Sequence, residues 1–179
     1  MSTIRLRCQG HGVRQRCAVR SDLRVKNQAV SNYLLARLPT AEIVVANVTT
    51  ASSIQAAAAV GVEVELIGKS VVFASANSTA LVVISAARRV FLAKLRTAAD
   101  DGSLKVAAPA VVLERTSYPV GGVSPLVVPS GISLFVDQGL FELQSVWVSA
   151  GTPSSVVKLS REQLSELFLD KACDLAEDS

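Results

Sequence analysis

The chain is short of the side chains that carry most enzymatic chemistry. It has one histidine, His11, in 179 residues. That histidine sits in an arginine-rich N-terminal stretch rather than beside a serine and an acid, so no Ser/His/Asp triad is visible. Three cysteines, Cys8, Cys17 and Cys173, are odd in number and widely spaced. They argue against a disulfide framework and fit a reducing, cytoplasmic setting. Cys8, His11 and Cys17 give three potential zinc ligands with no fourth nearby, so no metal is expected. Gly121-Gly122 is not followed by Lys-Ser/Thr, and neither a P-loop nor a dinucleotide fingerprint occurs, so no cofactor is expected either. Aromatics make up 4 % of the residues, which leaves Val, Ala, Leu and Ile to build the core. No long apolar run is uninterrupted. Residues 70–87 carry Asn77-Ser78-Thr79 in their middle, and residues 119–136 are broken by prolines and glycines, so neither reads as a membrane span. No secretory leader is apparent.

What is present is a well-supplied core. The composition is 50 % hydrophobic and 18 % charged, with a mean hydropathy of +0.40, too apolar for general disorder. The net charge of +3 is weak evidence of a nucleic-acid partner, but its distribution is uneven. Arg5, Arg7, Arg14, Arg16, Arg20, Arg24 and Lys26 crowd the N-terminus, whereas Glu162, Glu166, Asp170, Asp174, Glu177 and Asp178 mark the C-terminus. Solvated ends are the simplest account. Contact of the arm with RNA phosphate and organellar targeting stay open as alternatives. We expect residues 1–22 to be a basic extension and residues 23–179 a single domain, monomeric by default.

The periodicity predicts an α+β fold. Val30, Leu34 and Leu38 recur every four residues in a helix over 26–38 that Pro39 stops. Strands are predicted over 42–48, over 65–73 after a bend at Gly68, and over 81–85 beyond a hairpin turn at 77–79. Ser52 and Ser53 cap a helix over 54–60 that ends at Gly61. Further helices are expected over 89–99, from Pro109 to about Arg115, and over 161–169, the last with a Ser160/Gln163 capping box. Short strands fill 104–107, 134–136, 145–149 and 155–159. Irregular alternation of short strands with helices suggests a mixed sheet covered by helices.

One loop stands out. Gly121-Gly122-Val123-Ser124-Pro125-Leu126 couples a glycine pair to a proline, a rigid turn that exposes backbone N–H groups. Such a loop can hold a carbonyl or anionic oxygen without side-chain chemistry. Lys69 is the one charge inside the apolar run 66–74. It either reaches solvent or faces a binding cleft. Asp137 ends an apolar strand as the chain turns, and Ser124 and Ser149 are turn serines unless they meet in one cleft.

These segments resemble the YbaK / prolyl-tRNA synthetase editing-domain superfamily. Residues 116–126 are similar to its Gly-x-x-x-Pro segment, and Gly68-Lys69-Ser70-Val71-Val72 resembles its lysine strand. Leu134–Asp137 and Val146–Gly151 resemble its strand ending in Asp and its strand ending in Ser and Gly, and Ser85–Leu95 its passage from sheet to helix. The resemblance runs over roughly 23–176 and is most specific in the second half. It implies a mixed, partly closed β-sheet with flanking helices and a trans-editing deacylase that hydrolyses mischarged tRNA, Cys-tRNA(Pro) or Ala-tRNA(Pro) first. By the same resemblance Lys69 lies near the 3′ terminal adenosine and its phosphate, and Gly121 and Gly122 present N–H groups to the aminoacyl carbonyl. Asp137 borders the pocket, while Val123, Ser124, Pro125, Ser149 and Gly151 bind substrate. An aminoacyl-tRNA synthetase is a further partner it implies. The alternatives are a non-catalytic module that holds an aminoacyl- or nucleotide-like ligand, and an RNA-binding protein driven by the basic arm.

Overall fold

A computed structural model describes residues 6–7, 25–39, 41–45 and 52–177. The basic arm apart from Leu6–Arg7, including His11, Cys8 and Cys17, and the predicted strand's end at 46–48 lie outside the described residues. The described elements run β1 (Leu6–Arg7), α1 (Val25–Arg37), β2 (Glu42–Val45), α2 (Ser53–Val60), β3 (Ile67–Ala74), β4 (Thr79–Ser85), α3 (Leu92–Ala98), β5 (Lys105–Val106), α4 (Pro109–Thr116), β6 (Ser133–Asp137), β7 (Ser145–Ser149), β8 (Ser155–Ser160), α5 (Arg161–Phe168) and β9 (Ala172–Cys173). The strands form one mixed sheet in the order β1-β2-β8-β7-β3-β4-β6-β9, and β5 pairs with β3 at its far end. The fold is α+β, as the pattern predicts.

Local rules place most boundaries. Ser52 and Gln55 close a capping box on α2, and Gly61 ends it at φ +70°, a left-handed backbone that favours glycine. Ser160 and Gln163 do the same for α5, and Pro109 opens α4. Two expectations need correction. The chain does not bend at Gly68, which lies within β3 in full register with β4. A Cβ there would stand 2.9 Å from Val146 Cγ1 and 3.0 Å from Val148 Cγ1, so glycine serves close strand packing. The helix predicted from Arg89 starts at Leu92, because Val90 bridges Ala176 and the Phe91 N–H bonds Leu175 O. A tertiary pairing overrides helix propensity there.

Both faces of the sheet are covered, and β4 is buried along its whole length. On one face Val30 and Leu34 of α1, Leu38 just after it, and Leu164 and Phe168 of α5 pack on Val83, Val136, Val146, Val148, Val157 and Leu159. Val112 of α4 and Tyr118 extend this layer over Val72 and Leu81. On the other face Leu95 and Leu104 cover Phe73, Ala80, Val82 and Ile84, and Ala56 and Ala57 of α2 cover Ile67, Trp147 and Val156. Each buried Val, Leu, Ile or Phe among them contributes about 1.5–3 kcal/mol on burial.

Candidate active site

In the middle of the sheet, β3 meets β7 over a short stretch. These parallel strands pair only at Ile67↔Trp147 and Gly68↔Val148, whereas β3 pairs with β4 over seven positions, from Gly68↔Ser85 to Ala74↔Thr79. Beyond Gly68 the edge of β3 is next used by Val72, whose O accepts the Ala107 N–H at 2.9 Å, and by Phe73 and Ala74, which pair with β5. A cleft of about 220 Å³ opens in this gap. Its lining comes from Ser52, Ser53 and Ala56 at the start of α2, from Ile67–Val71 of β3, from Val120, Gly121 and Val123, and from Trp147, Ser149 and Val156.

The glycine loop forms one wall. Pro119 O accepts the Gly122 N–H at 2.9 Å, and Gly121 between them has φ +80°. That is the left-handed third position of a tight turn, where glycine is favoured. A Cβ on Gly122 would meet Pro119, Thr152 and Pro153 atoms at 3.1 Å. Gly122 therefore fastens the loop to the turn after β7, and its N–H is spent inside the loop. Among the described residues the N–H groups of Gly121 and Val123 bond no other protein group. Val123 itself packs with Val72 and Tyr118, which fixes the loop on the sheet.

Lys69 lines the cleft, and its ammonium is anchored at its edge. Nζ donates to Arg88 O at 2.5 Å and to Ala86 O at 3.5 Å, in the turn that leaves β4. Burial lowers its pKa below the ordinary lysine value, and the nearby Arg89 guanidinium acts in the same direction. Ser149 Oγ accepts the Gly151 N–H at 3.3 Å, a turn that ends β7 at the cleft wall.

The structure thus brings Lys69, Gly121, Val123 and Ser149 to one cleft. Gly122, Ser124, Pro125 and Gly151 stand behind it as support. Ser124 is fully buried, and its Oγ accepts the Leu126 N–H at 3.4 Å. Gly151 takes φ +97°. Asp137 does not line the cleft. It is 1 % exposed, and its carboxylate accepts the N–H groups of Leu175 at 3.0 Å, Ala176 at 3.1 Å and Gly139 at 3.3 Å. The family resemblance implied a pocket border, but here it buckles the C-terminal segment onto β6. Sequence reasoning passed over Ser52, Ser53, Ser70, Val120 and Trp147 as cleft residues. The two α2 serines were legible as a helix cap, whereas their position beside β3 depends on how α2 packs.

Residues 47–167 match the aminoacyl-tRNA editing domain. The chain belongs to that family. A solved structure proposed as a trans-editing enzyme for prolyl tRNA synthetase superposes on this editing domain with a TM-score of 0.76 and 29 % identity, over 87 % of this chain and 99 % of that one. The hypothetical protein APE2540 gives a TM-score of 0.75 at 28 % identity, over 83 % and 99 % of the two chains. Among curated sequences, the uncharacterised protein YwhH of Bacillus subtilis (strain 168) is 26 % identical over 117 residues, 65 % of this chain and 74 % of that one. The editing domain's loop, lysine strand and serine strand end all fall within the matched region.

Proposed function

We propose that this editing domain hydrolyses the ester of mischarged tRNA in trans, with Cys-tRNA(Pro) or Ala-tRNA(Pro) as substrate. The observation that carries the reading is the pair of N–H groups, Gly121 and Val123, that bond no group among the described residues, on a rigid loop beside a small cleft in an editing-family fold. Water adds to the ester carbonyl carbon, and negative charge builds on the carbonyl oxygen. Backbone donors aimed at that oxygen stabilise it, and such a donor is worth about 10²–10³ in rate. The C–O bond to the ribose then breaks, the ribose oxygen takes up a proton, and the free amino acid leaves. Aminoacyl esters are activated already, so positioning and electrostatics suffice without a histidine or cysteine nucleophile.

Small-molecule pockets usually span about 300–1,000 Å³. A cleft of about 220 Å³ suits a small aminoacyl group, with the terminal adenosine and its phosphate at the mouth. Lys69 holds the turn at 86–88 in place, and its charge favours phosphate at that edge.

The test is deacylation of Cys-tRNA(Pro), Ala-tRNA(Pro) and Pro-tRNA(Pro) by the purified protein, with Lys69→Ala as control. Loss of one mischarged species, sparing of Pro-tRNA(Pro) and a folded but inactive Lys69→Ala variant are expected. No turnover of any species would replace the deacylase reading with that of a ligand-holding, non-catalytic module.

A further inference from the structure

Among the described residues, one buried side-chain polar atom of the cleft has no partner. Ser70 Oγ is buried and forms no hydrogen bond, although Ser70 lines the cleft and is itself partly open to solvent. A buried hydroxyl without a partner costs stability and calls for a reason. Its position on β3 suggests one. Strand alternation puts Ser70 on the face of Gly68 and Val72, opposite Lys69. Val72 packs with Val123, so the serine and the glycine loop share that face of the sheet. Lys69 turns instead to the carbonyls of Ala86 and Arg88. Ser70 is therefore the polar side chain of β3 on the loop's side of the cleft.

We infer that Ser70 is a substrate-binding residue whose Oγ accepts a hydrogen bond from the α-ammonium group of the esterified amino acid. This rests on the deacylase reading. If the loop N–H groups hold the ester carbonyl oxygen, the α-carbon lies one bond from the reacting carbon and its ammonium nitrogen two bonds, on the wall that Ser70 forms. A turn of χ1, a rapid event for a serine, brings the hydroxyl from its buried position into the cleft. The orphaned hydroxyl is then satisfied on binding. A site tuned to a ligand's polar group, at a cost to the free protein, is the usual trade between stability and function.

The experiment compares the full chain with Ser70→Ala and Ser70→Thr in steady-state deacylation and in thermal melting. Each is assayed on the mischarged tRNA that the wild type turns over and on its α-hydroxy analogue, which lacks the ammonium. We expect Ser70→Ala to melt no lower than wild type, since it removes an unpaired buried hydroxyl. Its KM should rise about tenfold with kcat little changed, and Ser70→Thr should recover most of the loss. The wild type should lose about as much on the α-hydroxy ester, and Ser70→Ala should lose little further there, the signature of a coupled pair. An active wild type whose Ser70→Ala variant keeps its KM overturns the inference and leaves the deacylase reading standing. Equal tenfold losses for both esters overturn the assignment to the ammonium. A wild type without turnover overturns the deacylase reading and the inference with it.

Discussion

Two charged residues singled out in the sequence turn out to do different work. Asp137 gathers three backbone N–H groups in a buried place. Its replacement by alanine strands those donors. Asp137→Ala should lower the unfolding free energy by about 3 kcal/mol, read as the urea midpoint, whereas any fall in deacylation should track the folded fraction. Lys69 sits at the cleft edge with a lowered pKa, chiefly from burial and then from Arg89. The unfolded chain therefore holds that proton more tightly between the lowered value and the ordinary 10.5. Stability contributed at this position is smallest below the folded value and rises with pH through that window. Relative to Lys69→Met, the wild type should gain stability as pH rises toward 10.5 in urea titrations. A constant difference between the two would contradict the burial of the ammonium.

At the scale of elements, the hairpin that carries Lys69 and Ser70 is held at its tip by one carboxylate. Asp101, after α3, accepts Ser75 Oγ at 2.6 Å, Ser78 Oγ at 2.5 Å, and the Ser103 N–H and hydroxyl at 2.8 and 2.5 Å. These bonds, the Ser103 hydroxyl foremost, hold its pKa far below the usual carboxylate range. A carboxylate with a depressed folded pKa stabilises fully above its unfolded value, the ordinary 3.8, and loses that contribution as pH falls toward the folded value. Asp101→Asn should melt below wild type at pH 7, and the gap should narrow steadily below about pH 4 in matched thermal scans. Because β3 runs from this tip to the cleft, the same variant tests how far the hairpin's far end positions the lysine strand. The glycine loop is anchored separately, by the Gly122 contact with residues 152–153 and by Tyr118, whose hydroxyl donates to Val127 O at 3.0 Å.

At the scale of the molecule, the strands β1-β2-β8-β7 meet β3-β4-β6-β9 through two residue pairs, and Gly68 stands at that joint. Gly68→Ala drives a methyl into Val146 and Val148. It should cost about 1–3 kcal/mol in denaturant unfolding and widen the cleft, with a larger loss in kcat/KM than the stability change accounts for. The sequence by itself determined the α+β class, most element boundaries, the capping box of α5 and the family, and it pointed to Lys69, Gly121, Val123 and Ser149 as candidate site residues. Periodicity, caps and turn glycines act over a few residues, so a linear reading reaches them. Tertiary structure decided the rest. The bridge of Val90 to Ala176 delays α3, the approach of Val146 and Val148 explains Gly68, and the three N–H groups that converge on Asp137 make it a fastener away from the cleft. The gap between β3 and β7, which brings Ser52, Ser70 and Trp147 beside the glycine loop, depends on strand order and packing across long stretches of chain, and no local pattern encodes that.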